Sequence, residues 1–293
     1  MTATQLTFGD GDVELSVIPA IGARWHRLRA FGRDLLRTPR DPGEHTRDTF
    51  FWGAYPMAPW CGRVEPGSRV VAGRRVTLEP NFPDGTAIHG QVYAVPWQVT
   101  GEGQFAIRGG GDGWPWTYEV EFGVDVVDAE VRLSYVLRNT SDEPMPGGIG
   151  VHPWFRKPIQ VRIPAEGVLT PNQATPREPA AVADAFDLRR LRPMPDDLDA
   201  TWTDLSEPSV ELFWPEPGTE ARMRASTPSL YIVAASPSHL DAIALEPQTH
   251  APQAIRRLLN DEPGALALLP PGAELRLGVT LTFEKVEARA AAA

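Results

Sequence analysis

Cysteine is almost absent from this chain: Cys61 is the one cysteine in 293 residues, so no internal disulfide can form. A reducing cytoplasm is the compartment this composition predicts. No apolar run reaches the ~18 residues that a membrane-spanning helix needs. The first residues, Met1-Thr2-Ala3-Thr4-Gln5, lack the basic and apolar regions of a secretory signal. Positive charge is short as well, with 28 Lys and Arg against 38 Asp and Glu, a formal net charge of −10. No basic block offsets that excess, so nucleic acid is excluded as a partner and a membrane surface is not expected. Metal-ligand spacings such as HxxxH and HExxH are missing. So are a glycine-rich phosphate loop, a serine-nucleophile elbow and any strand–helix–strand alternation. No metal and no cofactor are expected.

Proline is what the chain has in excess, with 30 residues, roughly twice average usage. Helix interiors tolerate proline poorly, whereas turns and strand edges accept it. Period-2 alternation is the dominant pattern. Val13, Leu15 and Val17 alternate with Glu14 and Ser16, and Trp116, Tyr118, Val120, Phe122 and Val124 with polar or small neighbours. Val131 to Leu137 and Leu275 to Phe283 repeat the pattern. Turns are expected at Val127-Asp128-Ala129, at Ala72-Gly73-Arg74 as a hairpin, and at Pro270-Pro271-Gly272. Helical periodicity is confined to Ala254–Leu259 and, more weakly, Phe186–Leu191. The segment from Pro171 to Asp204 reads as a long covering loop within one unit. The expectation is an all-β chain, one large antiparallel sandwich over residues 1–293 with very little helix, fraying from about residue 285. Two packed sheets of this size leave a concave face for a ligand.

Six histidines are present. His26, His45, His239 and His250 have undistinguished settings, His26 reading as structural or exposed. His152 stands apart, in Gly147-Gly148-Ile149-Gly150-Val151-His152-Pro153-Trp154-Phe155-Arg156. Glycine admits close approach, proline limits how the ring is aimed, and the aromatics keep water partly away. His89, in Ala87-Ile88-His89-Gly90, is either a ligand contact or a buried ring bonded to a backbone carbonyl. Glu246 ends the apolar run Ala242-Ile243-Ala244-Leu245. It is either a surface charge or a partly desolvated base whose pKa burial would raise. Arg63 closes Tyr55-Pro56-Met57-Ala58-Pro59-Trp60-Cys61-Gly62-Arg63, either as a fork for hydroxyls or a carboxylate, or stacked on Trp60. Asp199 taken alone is a turn residue.

The order of these motifs resembles the aldose 1-epimerase (galactose mutarotase) family over Val13 to Phe283. The matching pieces are Pro56-Met57-Ala58-Pro59-Trp60 with Arg63, Ala87-Ile88-His89-Gly90, Trp114-Pro115-Trp116 and Asn139-Thr140-Ser141-Asp142. They continue with Gly148 to Phe155, Leu198-Asp199, Glu246-Pro247-Gln248-Thr249 and Leu269-Pro270-Pro271-Gly272. The resemblance implies a β-supersandwich that interconverts the anomers of a free aldose, with His152 as general acid and Glu246 as general base. It also implies that Arg63, His89 and Asp199 contact sugar hydroxyls. Trp60 and Trp154 are candidates to stack on the sugar's apolar face. Cys61-Gly62 departs from the Pro-Asn that commonly precedes the family's arginine, which bears on substrate choice. A phosphosugar epimerase and a non-catalytic sugar sensor are the alternatives. The partner is a small sugar, the assembly a monomer or homodimer.

Overall fold

A computed structural model of the protein describes residues 4–9, 11–111, 113–170, 178–216 and 218–286. The tail beyond 286, expected to fray, lies outside them. Among the described residues the chain forms an eleven-stranded and an eight-stranded sheet, three two-stranded ribbons and one α-helix, Ala254–Leu259. Every pairing between named strands is antiparallel, which bears out the all-β expectation. The expected hairpin pairs Gly67–Val71 with Arg74–Leu78. The alternating stretches become Trp114–Val127, Glu130–Asn139 and Glu274–Lys285, adjacent in the eight-stranded sheet.

The core lies between the two large sheets. Val13, Leu15, Trp25 and Leu28 from the larger sheet and Phe105, Trp116, Phe122 and Tyr135 from the smaller belong to one buried cluster. Phe122 stacks on Tyr135 with ring centroids 4.7 Å apart, from opposite positions on paired strands. Fully burying side chains of this size contributes roughly 1.5–3 kcal/mol each.

Two expectations need correction. Phe186–Leu191 is not helical: the chain makes a 3-10 turn at Asp184–Phe186 and then bends at Arg189, Arg190 and Leu191. Ile163 N–H donates to the Leu188 carbonyl at 2.7 Å and the Trp202 indole donates to Phe186 O at 3.0 Å, so those carbonyls are committed elsewhere. The Pro171–Asp204 segment is also more ordered than a covering loop. Residues 171–177 lie outside the described residues, but Ala180–Ala181 pairs with Ala165–Leu169, and Asp199 opens a seven-residue strand.

The Asn139-Thr140-Ser141-Asp142 motif is structural. Buried Asn139 donates to Glu143 O and Leu269 O, both at 2.8 Å, and accepts from Ser141. It ties the end of one strand to the Leu269-Pro270-Pro271-Gly272 turn, whose Gly272 N–H donates to Asn139 O.

Candidate active site

Five neighbouring strands of the eleven-stranded sheet supply most of the floor of one cleft: Ala54–Met57, Gly150–Arg156, Ala242–Gln248, Tyr231–Ala235 and Asp199–Leu205. Period 2 decides which side chains reach it. Val151, Phe155, Ile243, Leu245, Ile232, Ala234, Ala200 and Trp202 point into the main core. Their alternates point the other way. The pairings Gly150↔Gln248 and Trp154↔Ala244 set His152 opposite Glu246, and His152 pairs with Tyr55 on its other side. Glu246 pairs with Val233 and Val233 with Thr201. Tyr55, His152, Glu246, Val233 and Thr201 therefore form one rung across the sheet, and all five line the cleft. Asp199, Ala235 and Trp154 line it from the next rung.

His152 Nε2 and Glu246 Oε1 are 3.1 Å apart and nearly all of both side chains is buried. Burial lowers the His152 pKa to about 3, opposed by its own backbone carbonyl and assisted by the nearby Arg24 and Arg63 cations. Burial raises Glu246 well above the ordinary carboxylate range; Asp199 adds to the rise and Arg63 opposes it. Both directions favour neutral partners, with one proton on the carboxyl group donating to Nε2. The two groups stand side by side, and in the free cleft desolvation outweighs their mutual attraction.

His89 meets His152 edge-on, with ring centroids 5.1 Å apart. Its backbone is held by Gly62, and its Nδ1 accepts from Gly62 N–H at 3.2 Å. A neutral ring accepting at Nδ1 carries its hydrogen on Nε2, which makes it a donor. Asn81 clamps the residue before it, accepting from Ile88 N–H at 2.7 Å and donating to Ile88 O at 3.0 Å.

Arg63 lies at the rim, half exposed, bonded through Nε to Asp84 at 2.7 Å and set over the Phe82 ring rather than Trp60. Among the described residues it is the one lysine or arginine in the lining. Asp199 opens into the cleft but is hemmed in by its walls, which raises its carboxyl pKa against the pull of Arg63. Trp154 lines the cleft beside His152, its indole N–H donating to Phe50 O at 2.6 Å.

Trp60 is a correction. It shares the main core with Ala54 and Ala58, packs on Trp114 at 5.2 Å and is absent from the lining. Tyr55, Met57 and Cys61 form a separate cluster, whereas Trp60, beyond the end of the Ala54–Met57 strand, turns into the main core. Cys61, which stands where the family commonly has proline, is buried, and burial and Glu246 push its thiol pKa up.

Sequence reasoning missed several groups. Phe50, Phe51 and Phe82 form an aromatic wall, with Phe50 and Phe82 centroids 5.1 Å apart. Thr201 and Gln248 add polar atoms from the same sheet. Period-2 counting from His152 and Glu246 would have reached Thr201 only with the strand order known. His250, whose sequence setting is undistinguished, is fully buried; its Nε2 accepts from Cys61 N–H at 3.0 Å and its Nδ1 bonds Ala251 O. His26 is buried too, 3.0 Å from His45 Nε2.

Among the described residues no group of three or more His, Cys, Asp or Glu is arranged to hold a metal ion, and no helix is long and apolar enough to cross a membrane. The cleft combines a proton donor–acceptor pair in contact, flanking hydrogen-bonding groups and flat apolar walls, a set suited to moving protons on a small polyhydroxyl compound.

Comparison with known proteins places these features in company. A family model described as aldose 1-epimerase matches residues 4–282. The uncharacterized protein YphB of Escherichia coli strain K12 is 25% identical over 96% of this chain and 99% of its own. A galactose 1-epimerase from Lactobacillus acidophilus superposes with a TM-score of 0.76 at 18% identity, covering 96% of this chain and 94% of that one. A galactose mutarotase-like protein from Clostridium acetobutylicum gives 0.81 at 15% identity over 96% and 95%.

Proposed function

The chain belongs to the aldose 1-epimerase family, and we propose that it interconverts the α and β anomers of an unphosphorylated aldose by acid–base ring opening and closure. The observation that carries this reading is the 3.1 Å contact between His152 Nε2 and Glu246 Oε1 on the cleft floor. The anomeric hydroxyl and the ring oxygen are bonded to the same carbon, so the groups serving them must stand close together.

In the proposed cycle the sugar lies over the pair. Its hydroxyls bond Glu246 and replace hydration lost on burial, so the shared proton passes to His152. Glu246 then takes the proton of the anomeric hydroxyl while the imidazolium gives its proton to the ring oxygen. The C1–O5 bond breaks and C1 becomes an aldehyde carbonyl. The enzyme is left with neutral imidazole and neutral carboxyl, the form that burial favours. Rotation about C1–C2 and reversal of the same transfers close the other anomer. Each positioned proton transfer supplies about 10²–10⁴-fold. His89, Arg63 and Asp199 hold hydroxyls, and Trp154 offers a flat face.

Arg63 is already neutralised by Asp84, with Asp199 and Glu246 close by, so among the described residues the lining offers no free cation for a phosphate. That favours neutral sugars over phosphosugars. Polarimetry on freshly dissolved α-glucose and α-galactose tests the reading. Relaxation faster than the buffer rate, in proportion to enzyme, is expected; binding without acceleration overturns it.

A further inference from the structure

The rung that carries His152 and Glu246 continues on the far side of Tyr55. Trp25 pairs with Ala54, which sets Arg24 opposite Tyr55 on the neighbouring strand. The Tyr55 strand therefore runs between the Arg24 strand and the His152 strand. The Arg24 guanidinium carbon lies 4.5 Å from the Tyr55 ring centroid, and that ring stacks on His152 at 4.8 Å and 28°. Four side chains in register thus form a cation, a phenol ring, an imidazole and a carboxyl group.

Arg24 is fully buried, and arginine is rarely so without an acidic partner. Among the described residues it makes no ion pair. Its bonds go to the carbonyls of Thr49 at 2.6 Å, Trp52 at 2.7 Å and Tyr93 at 3.3 Å. Burial lowers its pKa only to about 10, so it is charged at neutral pH. Carbonyl dipoles solvate that charge without cancelling it, and its field reaches the proton-transfer pair.

We propose that Arg24 and Tyr55 are positioning residues of the proton-transfer site: Tyr55 fixes the plane of the His152 ring, and the buried Arg24 cation sets the proton affinity of the His152–Glu246 pair. A cation on the histidine side opposes a second positive charge on imidazole. It makes the imidazolium a stronger acid toward the sugar ring oxygen. The guanidinium carbon is within roughly 9 Å of the imidazole centre, close enough for an effect on the order of one pKa unit at an effective dielectric of about 20. Other groups facing the pair are His89 edge-on, Arg63 and Asp199 from the cleft, and Cys61 behind Glu246. Asp48 and Tyr93 lie around Arg24. None of these is a buried cation stacked on the same column.

The inference rests on the proposed acid–base roles, and its test reads them separately. Ring-nitrogen NMR of His152 is titrated in the ligand-free full chain for the wild type, Arg24→Met and Arg24→Lys, with the resonances assigned by His152→Asn. In Arg24→Met both titration steps of the pair should move up by about one pH unit, and the pH profile of anomerisation should move with them. Arg24→Lys, which keeps a charge, should return both steps toward the wild-type positions. Unmoved titration in a folded Arg24→Met overturns the proposal whatever its activity. Failure of the wild type to anomerise any aldose overturns the functional reading and leaves the titration result standing. Should Arg24→Met not fold, Tyr55→Leu decides: it leaves the cation but frees the imidazole, and kcat should fall by about 10-fold or more while KM changes little. An unchanged kcat together with an unchanged His152 ring environment overturns the proposal.

Discussion

His152 and Glu246 face each other across neighbouring antiparallel strands, with Nε2 and Oε1 3.1 Å apart. That contact is a product of register. The strands pair Gly150 with Gln248 and Trp154 with Ala244, and a one-residue slip would turn one of the two groups into the core. Glycine at 150 helps hold this register, since a Cβ there would come within 2.9 Å of the Gln248 Cβ and 2.8 Å of the Cys61 sulfur. The His152–Glu246 pair is thus fixed by the same cross-strand packing that closes the sheet.

Removing either member should stop proton transfer without unfolding the protein. Glu246→Gln keeps the volume and removes the carboxyl proton site; His152→Asn keeps a hydrogen-bonding group and removes the imidazole. Each should lower kcat by about 10²–10⁴-fold, read by polarimetry, with sugar binding by calorimetry changed far less. Near wild-type rates in folded Glu246→Gln would remove that residue from the base role.

Charge in the cleft should separate neutral from phosphorylated sugars. Arg63 is half exposed and bonded to Asp84, and carboxyl groups of Asp199 and Glu246 lie in the same lining. Glucose should be anomerised with a kcat/KM at least 10-fold above that for glucose 6-phosphate, since the one cation of this lining is already paired and leaves a phosphate without a counter-charge. Arg63→Ala should cost roughly 1.5–3 kcal/mol in kcat/KM, the worth of a hydrogen bond to a charged group. A preference for the phosphate would require a cation source outside this lining.

The architecture was legible because alternation is local. Val131 to Leu137 reads as a strand from its own residues, and so does Trp116 to Val124. The strand order was not, since it depends on contacts between distant segments, and the missed groups follow from that. Tyr55 and Thr201 reach the cleft only because their strands lie on either side of the His152 and Glu246 strands. Trp60 was misplaced because it lies beyond the end of the Ala54–Met57 strand, where alternation no longer assigns a face, and it packs with Ala54 and Ala58 in the core. The protonation state of the pair was not legible because sequence carries no burial depth.

Acid should destabilise the fold through its buried histidines. Burial lowers His45 to about 2, with Arg24 and His26 adding to the effect, and lowers His250 to about 4. An unfolded chain protonates these rings near pH 6.5, whereas the folded chain resists. Their stabilisation is therefore complete above pH 6.5 and is lost as pH falls toward the folded values. Each such ring costs about 1.4 kcal/mol per pH unit within its window. Glu246, raised by burial, has the opposite sign: its contribution is present below its unfolded pKa near 4.5 and is lost as pH rises. Thermal melts from pH 8 to pH 4.5 should show a steady fall in Tm beginning near pH 6.5, shallower in His45→Gln if that variant folds. A flat Tm over this range would contradict the burial assigned to these rings.

Two glycines with nearly the same backbone angle should respond differently to alanine. Gly272 has φ +75° and nothing within 4 Å of a built Cβ, so Gly272→Ala incurs only the positive-φ penalty, on the order of 1 kcal/mol. Gly90 has φ +73°, but its Cβ would lie 2.0 Å from Ala58 O and 2.3 Å from the carbonyl carbon. Both obstacles are backbone and cannot rotate away. Ala58 O also accepts from Gln91 N–H at 2.7 Å, so any shift breaks a bond that holds this loop. Gly90→Ala should therefore cost at least about 3 kcal/mol in urea unfolding, well beyond Gly272→Ala. It should also weaken sugar binding, because His89 immediately precedes the displaced residue and takes its position from Gly62, just beyond the Ala58–Cys61 segment. Equal losses at the two sites, or unchanged sugar affinity in a folded Gly90→Ala, would show that the close approach of these two loops does not position His89.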